Sequence, residues 1–121
     1  MEDTSGLNPG GWGLTLSTRD MTTIGQLILN QGNWGNQQLV PKNWLEKMQQ
    51  KHSHWEQEQL DYGYLWWIID PTKPIIAAMG DGGNVIYIDH EQQLVIAITA
   101  LFKENVYDRI AFIQQDILPL V

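Results

Sequence analysis

With 121 residues, 43% of them hydrophobic and 17% charged, the chain has the length and composition of one compact globular domain, which excludes a disordered tract or a coiled coil. Its net charge is −7 and its seven Lys and Arg are scattered, so no basic stripe exists to neutralise phosphates and nucleic acid is excluded as a partner. The lack of cysteine excludes disulfides, thiolate metal sites and a cysteine nucleophile, and no apolar run approaches the roughly 18 residues that span a bilayer.

In chain order, residues 1–8 read as an initiator methionine joined to mid-domain sequence, because they lead straight into a glycine-rich loop at 8–13 with no preceding element. Any targeting segment is expected upstream. Ser17-Thr18-Arg19-Asp20 has the form of a capping box, so a helix should start there. Met21, Ile24, Leu27 and Ile28 share one face of it, and Gly32 stands where a left-handed residue would end it. Residues 32–36 read as a turn, and Pro41 at a first-turn position opens a second, shorter helix carrying Trp44, Leu45 and Met48. The polar, periodless stretch 51–60 reads as an exposed connection. Residues 62–69, rich in aromatic and β-branched types, then read as a strand. Three more apolar runs, 75–79, 85–89 and 94–101, are split by short turns at 80–83 and 90–93, which fits antiparallel neighbours because parallel ones need long crossovers. Val106, Ile110, Ile113 and Ile117 recur at helical spacing until Pro119, giving a terminal helix that can cover one face of the sheet. The expected architecture is α+β: an antiparallel four-stranded meander sheet packed with a C-terminal helix and two N-terminal helices.

Three blocks carry a resemblance. Gly10-Gly11-Trp12-Gly13-Leu14-Thr15-Leu16-Ser17-Thr18-Arg19-Asp20-Met21, Tyr62-Gly63-Tyr64-Leu65-Trp66-Trp67, and Gly80-Asp81-Gly82-Gly83-Asn84-Val85-Ile86-Tyr87-Ile88-Asp89 stand in the order found in the second half of one superfamily of serine hydrolases. Its members include class C β-lactamases, D-Ala-D-Ala carboxypeptidases and related esterases and amide hydrolases. The resemblance implies a partial β-lactamase/transpeptidase-like fold, with residues 1–121 a single domain that is the C-terminal fragment of a larger catalytic domain. It also implies a cell-envelope, periplasmic or secreted setting, although the sequence itself leaves the compartment open.

In such enzymes a Ser-x-x-Lys serine attacks the carbonyl carbon, and a lysine and a Tyr-x-Asn tyrosine manage its proton, because a hydroxyl is a poor nucleophile until a base takes that proton. Neither motif is here. The residues three before Lys42, Lys47, Lys51, Lys73 and Lys103 are Leu39, Trp44, Met48, Asp70 and Ala100, and no tyrosine has asparagine two places on. The chain alone is therefore expected to be inactive, with no catalytic residue, no cofactor and no metal. Its substrate, a small ester, amide or peptide, would belong to the full-length protein.

What the resemblance does carry over is a third element bordering the cleft, which falls on Asp81, Gly82, Gly83 and Asn84 as substrate-binding candidates. Many relatives place a cationic or hydrogen-bond-donating group there to meet a carboxylate or a developing oxyanion. Asp81 would repel an anionic β-lactam, which favours an ester, amide or peptide substrate; its other reading is an ordinary turn residue. His52, His54, Glu56 and Glu58 alternate like metal donors but read as a solvated connection. No serine is placed to complete a Ser-His-Asp set around His90, and Ser17 reads as a helix cap. A second hypothesis is a non-catalytic module of the same fold that recognises a cell-wall glycan or peptide through Trp12, Trp34 and Trp66, and a third is an interaction domain without a ligand. Removal of an upstream half would expose apolar surface, from which a homo-oligomer is expected.

Overall fold

The computed structural model describes residue 6 and residues 13–101 and 108–121. It forms three layers, with an antiparallel sheet between two helices on one face and a helical C-terminal segment on the other. Helix α1 (Thr18–Leu29) begins as the sequence predicts: the Ser17 hydroxyl accepts from the Asp20 amide at 3.1 Å, and the Asp20 carboxylate accepts from the Ser17 amide at 2.9 Å. Its end is a Schellman turn in which Gln31 as well as Gly32 is left-handed, and the Gly32 amide reaches back to the Leu27 carbonyl at 2.8 Å. The expected turn at 32–36 is a minimal hairpin, β1 (Asn33–Trp34) against β2 (Gln37–Gln38), with Gly35 and Asn36 both at positive φ. Helix α2 (Lys42–Met48) follows, with Pro41 at its N-cap.

The main sheet is a meander of six strands rather than the four expected: β3 (Ser53–Trp55), β4 (Leu60–Tyr62), β5 (Trp67–Asp70), β6 (Ile75–Gly80), β7 (Asn84–Asp89) and β8 (Leu94–Ile98). Two corrections produce the difference. The stretch expected to be a loose connection pairs as β3 and β4, with His54 opposite Asp61 and Trp55 opposite Leu60. The strand expected over 62–69 is broken at Gly63, whose amide donates to the Trp66 carbonyl at 2.8 Å, while Leu65 turns the chain with φ 67°. Gly63 is required by close approach: a Cβ there would fall inside contact distance of the Met48 carbonyl oxygen. At the other end β8 stops at Ile98, because the Ala100 amide leaves the ladder for the Asn84 side chain at 3.1 Å.

Strand alternation sorts the core into two halves. Ile76, Ile86 and Ile88 face α1 and α2, where they meet Ile28, Leu29, Leu45 and Trp66. Ile75, Ala77, Val85 and Tyr87 face the C-terminal segment and meet Ile113. That segment starts as α3 (Arg109–Phe112), capped by the Asp108 carboxylate on the Ile110 and Ala111 amides, then widens into a π-helical turn (Ile113–Ile117) and closes in a 3-10 turn (Leu118–Leu120) containing Pro119. Ile110, Ile113 and Ile117 face the sheet as predicted; Val106 lies outside the described residues.

Candidate functional site

The four residues singled out by the resemblance form the tip of the central hairpin. Gly80 and Asn84 are the last paired residues of β6 and β7, and Asp81, Gly82 and Gly83 make the three-residue turn between them. Gly82 and Gly83 have φ of 82° and 92°, a backbone that residues with a Cβ rarely adopt, so both glycines are set by the turn itself. Asp81 is exposed and its carbonyl accepts from the Asn84 amide group at 3.4 Å. Asn84 is the organising residue: its side chain binds Asp81 on one side and, through Oδ1, the Ala100 amide on the other. One residue earlier the Thr99 hydroxyl lies 2.8 Å from that of Thr18, so the N-terminus of α1, the end of β8 and the hairpin tip gather at one end of the sheet. Sequence reasoning missed Thr18 and Thr99, which are 81 positions apart and carry no motif.

Two hollows lie away from this tip. One of about 260 Å³ sits at the opposite end, lined by Ile28, Lys42, Leu45, Glu46, Gln49 and His90 among others. His90 is half-buried there and its Nε2 is 2.9 Å from Gln49 Oε1; burial holds its pKa below the usual histidine value, only partly offset by the charge of Asp89. Asp89 is itself buried and fixes the β7–β8 turn through the Glu91 and Gln92 amides. An open hollow of about 500 Å³ is lined by Gln26, Asn30, Asn33, Trp34, Gly35 and Asn36.

The remaining candidates fall as follows. Ser17 is the helix cap. His54 is tied to Asp61 at 2.6 Å, and Lys51 reaches the same Asp61 oxygen at 2.7 Å; hydrogen bonds from Lys51 and then His54 hold the Asp61 carboxyl below its ordinary range. His52 stacks flat on Tyr64 at 3.9 Å, and Tyr64 in turn on Trp44 at 5.8 Å. Among the described residues no three His, Asp or Glu side chains converge on one point where a metal ion could sit. Trp66 is 5% exposed and belongs to the core, which removes it from the proposed glycan surface; Trp67 packs with Tyr62 and Trp55 on the other face. Trp34 is 45% exposed, and Trp12 lies outside the described residues. Tyr87 is fully buried, and burial followed by the charge of Asp89 pushes its pKa up, against a smaller opposing effect of Gln114.

No protein-family model matches the chain, and no curated protein matches it. Among solved structures it is similar to a Bacillus anthracis protein named as a 6-aminohexanoate-dimer hydrolase, with 28% identity over 69% of this chain and a TM-score of 0.56. The chain spans 22% of that protein's length. Its fold is therefore related to that of a β-lactamase-family hydrolase, and the superfamily to which the three sequence blocks point has a structural counterpart.

Proposed function

We propose that the chain is the C-terminal portion of a β-lactamase-related serine hydrolase that acts on an ester or amide, and that it is inactive alone because the nucleophile and its proton-handling partners are not encoded in it. The observation that carries this reading is the likeness to a hydrolase of which it spans about a fifth, combined with the absence of Ser-x-x-Lys and Tyr-x-Asn. In the full-length protein the end of the sheet marked by Asp81, Gly82, Gly83 and Asn84 would border the cleft. An exposed carboxylate at that border suits a neutral or cationic acyl substrate better than an anionic one.

The test has two arms. The purified chain should not turn over nitrocefin or p-nitrophenyl acetate with saturable kinetics, and saturable turnover would overturn the claim of inactivity. Fused behind a segment supplying both missing motifs, it should hydrolyse an ester or amide, and Asp81→Lys in that protein should shift preference toward anionic acyl groups.

A second reading, a non-catalytic module binding a cell-wall glycan, is favoured by one feature. The exposed Trp34 stands beside the amides of Gln26, Asn30, Asn33 and Asn36, a stacking face ringed by hydrogen-bonding groups. Titration with soluble peptidoglycan fragments should quench tryptophan fluorescence in the parent chain but not in Trp34→Ala; no quenching in either would remove this reading.

A further inference from the structure

Among the described aspartates, Asp81 stands apart in how little holds its carboxylate. Those of Asp20 and Asp108 cap helices, that of Asp61 takes Lys51 and His54, that of Asp70 takes Thr72, and that of Asp89 takes the Glu91 and Gln92 amides. Asp116 sits inside the π-helical turn, ahead of the branched Ile117. Asp81 is exposed at the tip of the β6–β7 hairpin, and among the described residues no donor reaches its carboxylate. It is also the one aspartate in the sequence that precedes glycine, and no asparagine does.

The neighbouring amide is equally unengaged. Gly80 and Asn84 end the ladder, and the Gly83 amide closes the turn on the Gly80 carbonyl at 3.3 Å, whereas among the described residues the Gly82 amide finds no acceptor. Gly82 has no side chain to shield its nitrogen, and the two glycines, at φ of 82° and 92°, let the tip bend as a ring closes. A free carboxyl and a free nitrogen thus adjoin along the chain, and that tether gives intramolecular attack its advantage.

We propose that Asp81 is a site of spontaneous covalent modification, passing through a succinimide with Gly82 to isoaspartate. The Gly82 nitrogen adds to Cγ of the protonated Asp81 carboxyl. As the N–Cγ bond forms, the carboxyl's C–OH bond breaks, and the amide proton leaves with that hydroxyl as water. Water then opens the ring. Addition at Cγ restores aspartate. Addition at the Asp81 main-chain carbonyl breaks its bond to the Gly82 nitrogen, which leaves that carbonyl as a carboxylate and routes the chain through Cβ and Cγ. Water is the only co-reactant. The product keeps the mass and charge of the original but carries an extra methylene in the backbone of the turn. The Asn84 contact to the Asp81 carbonyl and the bond from Gly83 to Gly80 are what that insertion displaces. The proposal is independent of the hydrolase reading, which stands or falls on turnover.

The unaltered chain, held for several weeks in neutral buffer at physiological temperature, should become a methyl acceptor for protein L-isoaspartyl methyltransferase, with acceptance rising over time. A species lighter by one water should come first, and the final product should show no change in mass. The endoproteinase that cuts before aspartate should progressively lose its cut between Gly80 and Asp81, and electron-transfer fragmentation should place the isomer at Asp81 rather than at Asp3. Asp81→Glu, whose longer side chain closes a ring less readily, should lose most of the methyl acceptance. A folded chain that never accepts methyl groups overturns the proposal, as does acceptance at another aspartate or acceptance undiminished in Asp81→Glu. Acceptance seen only in urea would show that the folded turn protects the site, and overturns it equally. Because fragmentation of the unaltered chain locates the residue directly, the matter is decided even if Asp81→Glu fails to fold.

Discussion

The central hairpin β6–β7 and the outlying hairpin β3–β4 are built from the same backbone pattern by opposite means. In the first, Ile75, Ile76, Ala77, Val85, Ile86, Tyr87 and Ile88 are buried on both faces, so the strands read as near-continuous apolar runs. In the second, β3 is wholly exposed and β4 half-buried, and cross-strand polar contacts among Lys51, His54 and Asp61 stand where apolar pairs would otherwise be. Burial writes a strand into the sequence; pairing at a solvated edge does not.

That contrast can be tested by unequal losses. Ile88→Ala should cost about 2–5 kcal/mol in denaturant unfolding, since it empties a fully buried site in the central hairpin. Gly63→Ala should cost about 1–3 kcal/mol by forcing the β4–β5 joint off the Met48 carbonyl, without altering the central hairpin's exchange pattern. Trp55→Ala, at a residue 43% exposed, should cost only about 1 kcal/mol; a loss equal to that of Ile88→Ala would erase the distinction. The smallest effects are those of pH, and they separate in range. His90 has a folded pKa below its unfolded value, so the unfolded chain takes up the proton first, and stability is lost as pH falls from about 6.5 through the folded pKa. Asp61 is also depressed, but its contribution is present above the unfolded value near 3.9 and disappears only as pH falls further, through the folded pKa. Exchange measured during acidification should therefore report loosening at the β7–β8 turn before any at β3–β4, and the reverse order would contradict the assignment.

The same contrast explains what could be read beforehand. Ser17 and Asp20 announced α1 because a capping box is local, and the apolar runs announced β6, β7 and β8 because these strands are central or packed under a helix. The pairs His54 with Asp61 and Trp55 with Leu60 were illegible since their logic lies across the ladder, not along the chain. Trp66 was misplaced for a related reason. Adjacent tryptophans point to opposite faces, and it is Trp66 that enters the core while Trp67 packs with Tyr62 and Trp55 on the other side, a choice of face that the sequence alone does not make. At the candidate site, two consecutive glycines revealed the Asp81 to Asn84 turn, whereas the tie from Asn84 to Ala100 and the meeting of Thr18 with Thr99 depend on tertiary closure.

Gly25 has a mechanical consequence. By letting α1 sink against Val95 and Ile86 it welds helix and strands β7 and β8 into one stiff block, while β3 and β4 join β5 by a ladder of two residue pairs, Asp61 with Ile68 and Tyr62 with Trp67, beside the ring contact of Trp55 with Trp67. Under tension or protease attack the molecule should therefore part like a hinge leaf from its door, at the Gly63 to Trp66 joint, leaving the welded block intact.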